Sequence, residues 1–223
     1  MPTWLEALRV KLLVRLAWGL SKSRYLDSLR LFSATEADSA WQLLYAADKV
    51  DDPAQRADLL GQVLEETHHA ELFKGLYNED SASPLVPAKY EREALYWDKA
   101  EMWKFFIYCY VGEDAAATRF THIRDAATDP RLIKTLDSIL ADEVGHVHGA
   151  REFINELGIS EEQFQRESGL IRWRRRWEAW LRTGRNVTDL ASTGFLSAVY
   201  WVLAPLGAGI ARRRRTASSA GWS

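Results

Sequence analysis

With 223 residues, 47% of them hydrophobic, the chain can bury a core as one large domain or as one domain with attachments. A single cysteine, Cys109, excludes an intrachain disulfide framework and any Cys-x-x-Cys redox or zinc motif, which suits a reducing, cytoplasmic setting. The net charge of −2 hides a segregation: six Lys/Arg against two Asp/Glu in residues 1–30, twelve against twenty-four in 31–159, and eleven against five in 160–223.

The chain reads as all-α. Sustained β-branched alternation is absent, and through residue 160 every proline after Pro2 falls between apolar-periodic stretches. A first helix over 3–20 is basic and amphipathic, with Trp4, Leu5, Leu8, Leu12 and Leu16 on a stripe. Its Arg9, Lys11 and Arg15 interrupt any secretory h-region. Helices follow over 22–49 and 53–77, then a polar linker from Asn78 to Lys89 with Pro84 and Pro87. A long helix over 90–127 and another over 130–157 complete the set. Asp52-Pro53 and Asp129-Pro130 place a capping Asp before a Pro at the first helical position. The organisation expected is a basic helix (1–21), a four-helix bundle (22–157) and an Arg/Trp-rich and apolar tail (158–223).

An internal repeat runs through the middle of the chain. Glu36, Glu66 and His69 recur 77 positions later as Glu113, Glu143 and His146, and within each half the first Glu precedes the Glu-x-x-His by 30 residues. Asp48, Asp52, Pro53 and Leu59 recur at the same offset as Asp125, Asp129, Pro130 and Leu136. Turns this short favour antiparallel hairpins. At ~1.5 Å per residue, Glu36 and Glu66 each lie ~20 Å from their turn, hence at one height, and Glu113 and Glu143 are level for the same reason.

Residues three apart share a helix face, so each Glu-x-x-His offers a carboxylate and an imidazole side by side. Glu36 and Glu113 add one carboxylate from each remaining helix. Four carboxylates neutralise two divalent cations; burying them without metal would be costly. Carboxylate with imidazole and no thiolate favours two iron ions, or manganese, over structural zinc.

The arrangement resembles the ferritin-like di-iron carboxylate superfamily, which includes rubrerythrin, bacterioferritin and the demethoxyubiquinone hydroxylases. Glu66-Thr67-His68-His69-Ala70 and Asp142-Glu143-Val144-Gly145-His146 look like its two signature helices, over about residues 22–157. The resemblance implies a four-helix bundle of two hairpins with a long crossover. It also implies that Glu66 and Glu143 bridge two metals, that Glu36 and Glu113 bind one each, and that His69 and His146 bind one each. The second nitrogen of each ring needs an acceptor, and Asp142 is expected to orient His69 and Glu65 to orient His146. Tyr110, one turn before Glu113, is a redox-active or hydrogen-bonding neighbour or a packing residue, and Cys109 beside it shares that face. Glu101 is a spare ligand candidate. His68, His122 and His148 are expected at the surface or as polar neighbours. Ala115, Ala116, Ala117, Ser39 and Ala40 leave room for a cavity or simply pack helices.

The ends point elsewhere. Trp173, Trp177 and Trp180 fall on one helix face among Arg172, Arg174, Arg175 and Arg176, the composition of an interfacial membrane helix. Leu190–Ala211 runs 22 residues without a charge, long enough to cross a bilayer. Membrane association is one reading; packing on the bundle or a homo-oligomer contact is another. No nucleic-acid motif accompanies the arginines. The function expected is an O2-dependent oxidoreductase acting on a hydrophobic, lipid- or quinone-like molecule at a membrane, with a separate electron donor. A ferroxidase, a rubrerythrin-like peroxidase and a non-catalytic metal-binding scaffold are the alternatives.

Overall fold

The computed structural model describes residues 3–86, 95, 101–178 and 181, and every element among them is helical. Helix α1 spans Thr3–Leu12 and runs on as a π-helical stretch, Leu13–Trp18. Four long helices follow: α2 (Lys22–Ala47), α3 (Pro53–Asp80), α4 (Met102–Ala126) and α5 (Pro130–Glu156).

The repeated Asp-Pro pairs start α3 and α5 as their chemistry dictates. Asp52 Oδ1 accepts from the N–H of Ala54 at 3.0 Å, and Asp129 Oδ1 accepts from that of Arg131 at 2.9 Å. Asp129 also holds the Arg131 guanidinium, which reaches on to Glu79 and Asp80. Asp129→Ala is therefore expected to cost about 1–2 kcal/mol in urea unfolding, and more than the cap-only Asp52→Ala. An equal or smaller loss would show that the Arg131 cluster adds nothing.

Two boundaries differ from the sequence reading. The polar linker expected from Asn78 begins later, because α3 continues to Asp80, where Arg131 ties down its last acidic residues. The long helix expected over 90–127 is not continuous: the chain bends at Leu95, whose N–H is donated to Gln42 Oε1, and the described helix starts at Met102. Most of 87–100 lies outside the described residues.

Helix α2 packs along α3, α4 along α5, and α3 against α5. The ties between α3 and α5 share one antiparallel register. Gln55 bonds Glu156 and Asp80 bonds Arg131, so 25 residues along α3 match 25 back along α5.

Each long helix contributes to two apolar clusters, one on either side of its middle. The first holds Leu29, Phe32, Phe73, Leu76, Phe120, Ile123, Leu132, Leu136 and Ile139. The second holds Leu43, Ala46, Leu59, Phe105, Phe106, Ile107, Phe153 and Ile154. Between them every helix carries glutamate: Glu36, Glu66, Glu113 and Glu143. Helix α3 ends beside the first cluster and α4 begins beside the second.

Helix α1 lies against α4. Val10, Val14 and Trp18 join the first cluster, and the Trp18 indole N–H donates to Ser28 Oγ at 3.1 Å. Leu8, Leu12 and Leu16 of the expected stripe are exposed, and so is Leu20. The side chains of Trp4 and Leu5 lie outside the description.

Gly158 closes α5 in the left-handed region, φ 71°, with its N–H donated to Asn155 O at 3.0 Å. Residues 161–171 are again helical, burying Phe164. Contacts divide the chain after Ile171, so α1 and the stretch from 158 to 171 belong to the same unit as the four long helices. In the second unit residues 172–178 are helical, with Trp173 and Trp177 stacked at 6.3 Å and 64% and 55% exposed. No helix among the described residues is long and apolar enough to cross a membrane. Trp180 and Leu190–Ala211 lie outside them.

Candidate metal centre

The polar layer between the two clusters holds all six repeated residues. Glu66, His69 and Glu143 are fully buried, Glu36 and His146 nearly so, and Glu113 is half-buried. They form two overlapping groups in which one ligand atom from each member lies within 4.8 Å of the others. One group is Glu36, Glu66, His69 and Glu143; the other is Glu66, Glu113, Glu143 and His146. Glu66 and Glu143 belong to both.

The imidazoles are held from outside the layer. His69 Nε2 lies 3.0 Å from Asp142 Oδ2, and His146 Nε2 lies 2.7 Å from Glu65 Oε2. These are the two pairs expected from the sequence, and they follow the α3–α5 register. Four residues along α3, from Glu65 to His69, step four back along α5, from His146 to Asp142. An ionised carboxylate only accepts, so Nε2 is the donor in each pair, and in the neutral form of either ring Nδ1 keeps the lone pair. Both Nδ1 atoms are buried without a hydrogen-bond partner. The two ring centroids are 6.0 Å apart.

The carboxylates are equally exceptional. Both oxygens of Glu66 and both of Glu143 are buried without a hydrogen bond. His146 Nδ1 does approach Glu66 Oε1 to 3.0 Å without hydrogen-bond geometry, an ion pair when the ring is protonated. Buried polar atoms are normally satisfied. Six ligand atoms left without a hydrogen bond and facing one layer make a cluster that could hold a metal ion.

Charge crowding acts on the titration of the layer. Burial, then the charges of Glu66 and Glu113, push Glu36 well above the usual carboxylate range. Burial and then Glu113 push Glu143 up to about 11. Burial also pushes Glu66 up, but the close His146 and Glu36 contacts outweigh it and leave its carboxyl below the usual value. For His146 burial pulls down, and the Glu66 and Glu65 contacts overcome it, raising the ring to about 9. A divalent cation would relieve all of these at once by replacing the protons.

The remaining candidates fall outside both groups. Glu101 pairs with Lys104. Tyr110 sets its ring edge against Phe164 at 5.2 Å, and with Cys109 it packs on the second apolar cluster. His68 is exposed, and exposed His148 pairs with Glu152. Ala116 packs on the first cluster and Ala40 is buried.

Sequence reasoning missed a cavity of about 440 Å³ between α4 and α5. Asp114, Ala117, Thr118, Thr121 and His122 line it from α4, and Glu143, Val144 and Val147 from α5. The signal was present in part, since Ala117 was one of the small residues marked as leaving room. His122 has no counterpart in the other repeat, which hid it.

Comparison of the chain with protein-family models, with curated proteins and with solved structures finds no match.

Proposed function

We propose that the chain is a ferritin-like four-helix-bundle protein with a long crossover, binding two iron ions and acting as an O2-dependent oxidoreductase on a hydrophobic molecule at a membrane. The observation that carries the reading is the pair of overlapping ligand groups sharing Glu66 and Glu143. A shared carboxylate between two mixed Glu/His sets is what a dinuclear site needs, and a single-ion site would leave half of these donors uncompensated. Glu66 and Glu143 would bridge, Glu36 and His69 would hold one ion, and Glu113 and His146 the other. Iron held there would supply the electrons that reduce O2. The apolar clusters on either side exclude water from the layer, and Asp142 and Glu65 hold the ring tautomer that leaves each Nδ1 free to ligate.

The test is a metal count and an oxygen reaction. Purified with detergent, the chain should hold about two iron ions, and its ferrous form should give a transient visible absorption with O2. Many ions per chain in a large shell would instead favour iron storage. Asp142→Asn with Glu65→Gln should weaken metal binding by about 10–100-fold while the ligands remain. Unchanged affinity in a competition titration would remove these two carboxylates from the centre.

The membrane part of the reading rests on two surfaces. Along α1 and the stretch that continues it to residue 20, Leu8, Leu12, Leu16 and Leu20 are exposed beside exposed Lys11 and Arg15. In the second unit, stacked Trp173 and Trp177 are exposed next to Arg174. Apolar side chains rimmed by cations suit an anionic lipid surface. Co-sedimentation with vesicles containing phosphatidylserine should be lost or fall at least about tenfold in Leu12→Glu/Leu16→Glu, since two apolar anchors become repelled charges. Equal binding by this variant would remove α1 from the membrane contact.

A further inference from the structure

We infer that the two halves of the polar layer differ in access: the ion held by Glu113 and His146 exchanges with solvent, and the ion held by Glu36 and His69 is shut off from it. The inference rests on the two-ion reading above and adds which of the two coordination spheres water, or a small external ligand, can reach.

The repeat makes the comparison a controlled one. The two ligand groups contain the same residue types at the same spacing, and they share Glu66 and Glu143. A difference between the ions therefore comes from what surrounds the unshared ligands. Glu36 is only 4% exposed, whereas Glu113 is half-buried.

The neighbours of each glutamate differ in the same sense. Residues one turn away share a ligand's helix face. For Glu36 these include Phe32, Ser33 and Ala40, all buried. Phe32 is packed in turn on Phe73 and Phe120, with ring centroids 5.2 and 5.5 Å away. Their counterparts beside Glu113, 77 positions on, are Cys109, Tyr110 and Ala117, and all three are half-buried. The outer carboxylates keep this order. The Glu65 side chain, behind His146, is 48% exposed, and that of Asp142, behind His69, is 37% exposed.

The packing around a metal site controls how readily solvent reaches it. An ion leaves when water replaces its ligands, so the better-sealed half releases its ion only after local opening. Around Glu36 that opening must disturb a packed aromatic cluster. Around Glu113 the seal is already incomplete.

The experiment uses the full-length protein loaded with Mn2+ alone. Mixed with excess chelator, it should release one ion quickly and the other at least about tenfold more slowly. Glu113→Gln should retain one ion and show only the slow phase, and Glu36→Gln should retain one ion and show only the fast phase. Water-proton relaxation, which reports water bound to Mn2+, should be stronger per ion in Glu36→Gln than in Glu113→Gln. Cys109→Phe alters no ligand and installs the residue type that stands one turn before Glu36. It should slow the fast phase by at least about threefold and leave the slow phase unchanged.

The reverse assignment of the phases, loss of both ions in each Gln variant, or a fast phase that Cys109→Phe does not slow would overturn the inference. Wild-type protein that holds two ions and releases them at one rate would sink this inference alone. Wild-type protein that takes up no Mn2+ would sink the metal-centre reading along with it.

Discussion

Replacing Glu66 and Glu143 together by alanine is expected to abolish metal binding: under the proposed two-iron reading, iron measured by mass spectrometry should fall from about two ions per chain to background. Each residue belongs to both ligand groups, so the double variant removes two donors from each and leaves Glu36 with His69 and Glu113 with His146. Two donors from a rigid layer do not hold an ion against water. The chain should still fold. Both apolar clusters are intact, and two crowded carboxyls have been taken out of a water-poor layer. The truncations leave small cavities and take Glu66 from His146, so the metal-free double variant should be less stable than metal-free wild type but still unfold cooperatively in urea. The two measurements together separate a ligand role from a structural one. Normal iron content in the folded variant would overturn the assignment of both residues.

Metal removal should make stability fall with pH across the neutral range, and metal should abolish that fall. Glu36 and Glu143 have folded-state pKa values above their unfolded values, Glu143 at about 11, because of burial and then neighbouring carboxylates. Above the unfolded carboxylate pKa of about 4.3, the folded state binds more protons than the unfolded state, so unfolding free energy decreases as pH rises. His146, raised to about 9, acts in the same direction: its contribution is present below about 6.5 and is lost as pH climbs towards 9. Glu66 is shifted the other way, and its contribution is already complete above about pH 5. Metal-free protein is thus expected to lose thermal stability steadily from pH 5 to pH 9. Two divalent ions bound as proposed would displace these protons. At free metal 100-fold above Kd, each site adds about 2.7 kcal/mol. For a chain of this size that is a Tm rise of about 5–10 °C per site, larger at pH 8 than at pH 5.5. Calorimetric scans with and without metal at both pH values are the measurement. A metal-induced shift larger at pH 5.5 would refute the proton-displacement picture.

How legible the centre was in the sequence follows from what each part depends on. The six ligand candidates were visible because the repeat preserves residue type and spacing, and helical geometry converts equal spacing into equal height. The start of α3 and of α5 was visible because a capping Asp and the fixed φ of Pro are local devices. The outer carboxylates were within reach too, since Glu65 and Asp142 sit one residue before the shared glutamates in an antiparallel pair.

Other features escaped because they depend on partners far away in the chain. Helix α1 with its π-helical continuation to residue 20 carries two apolar stripes at the same spacing, Val10/Val14/Trp18 and Leu8/Leu12/Leu16/Leu20. Only the shape of the surface it meets, and Ser28 waiting for the Trp18 N–H, select the first for burial. The last turn of α3 is kept helical by Arg131, 51 residues on from Asp80. At the bend at Leu95, the N–H is donated to Gln42, 53 residues earlier. The His122 cavity exists only where α4 and α5 face each other.

What the sequence determined by itself, then, is the donor set and its height in each helix, since these follow from period and local caps. What the tertiary structure decided is which surfaces meet: the apolar stripe of the first helical stretch that is buried, the tie that holds the last turn of α3, and the opening beside Glu143. Those choices are set by side-chain packing between helices distant in sequence, and no local rule contains them.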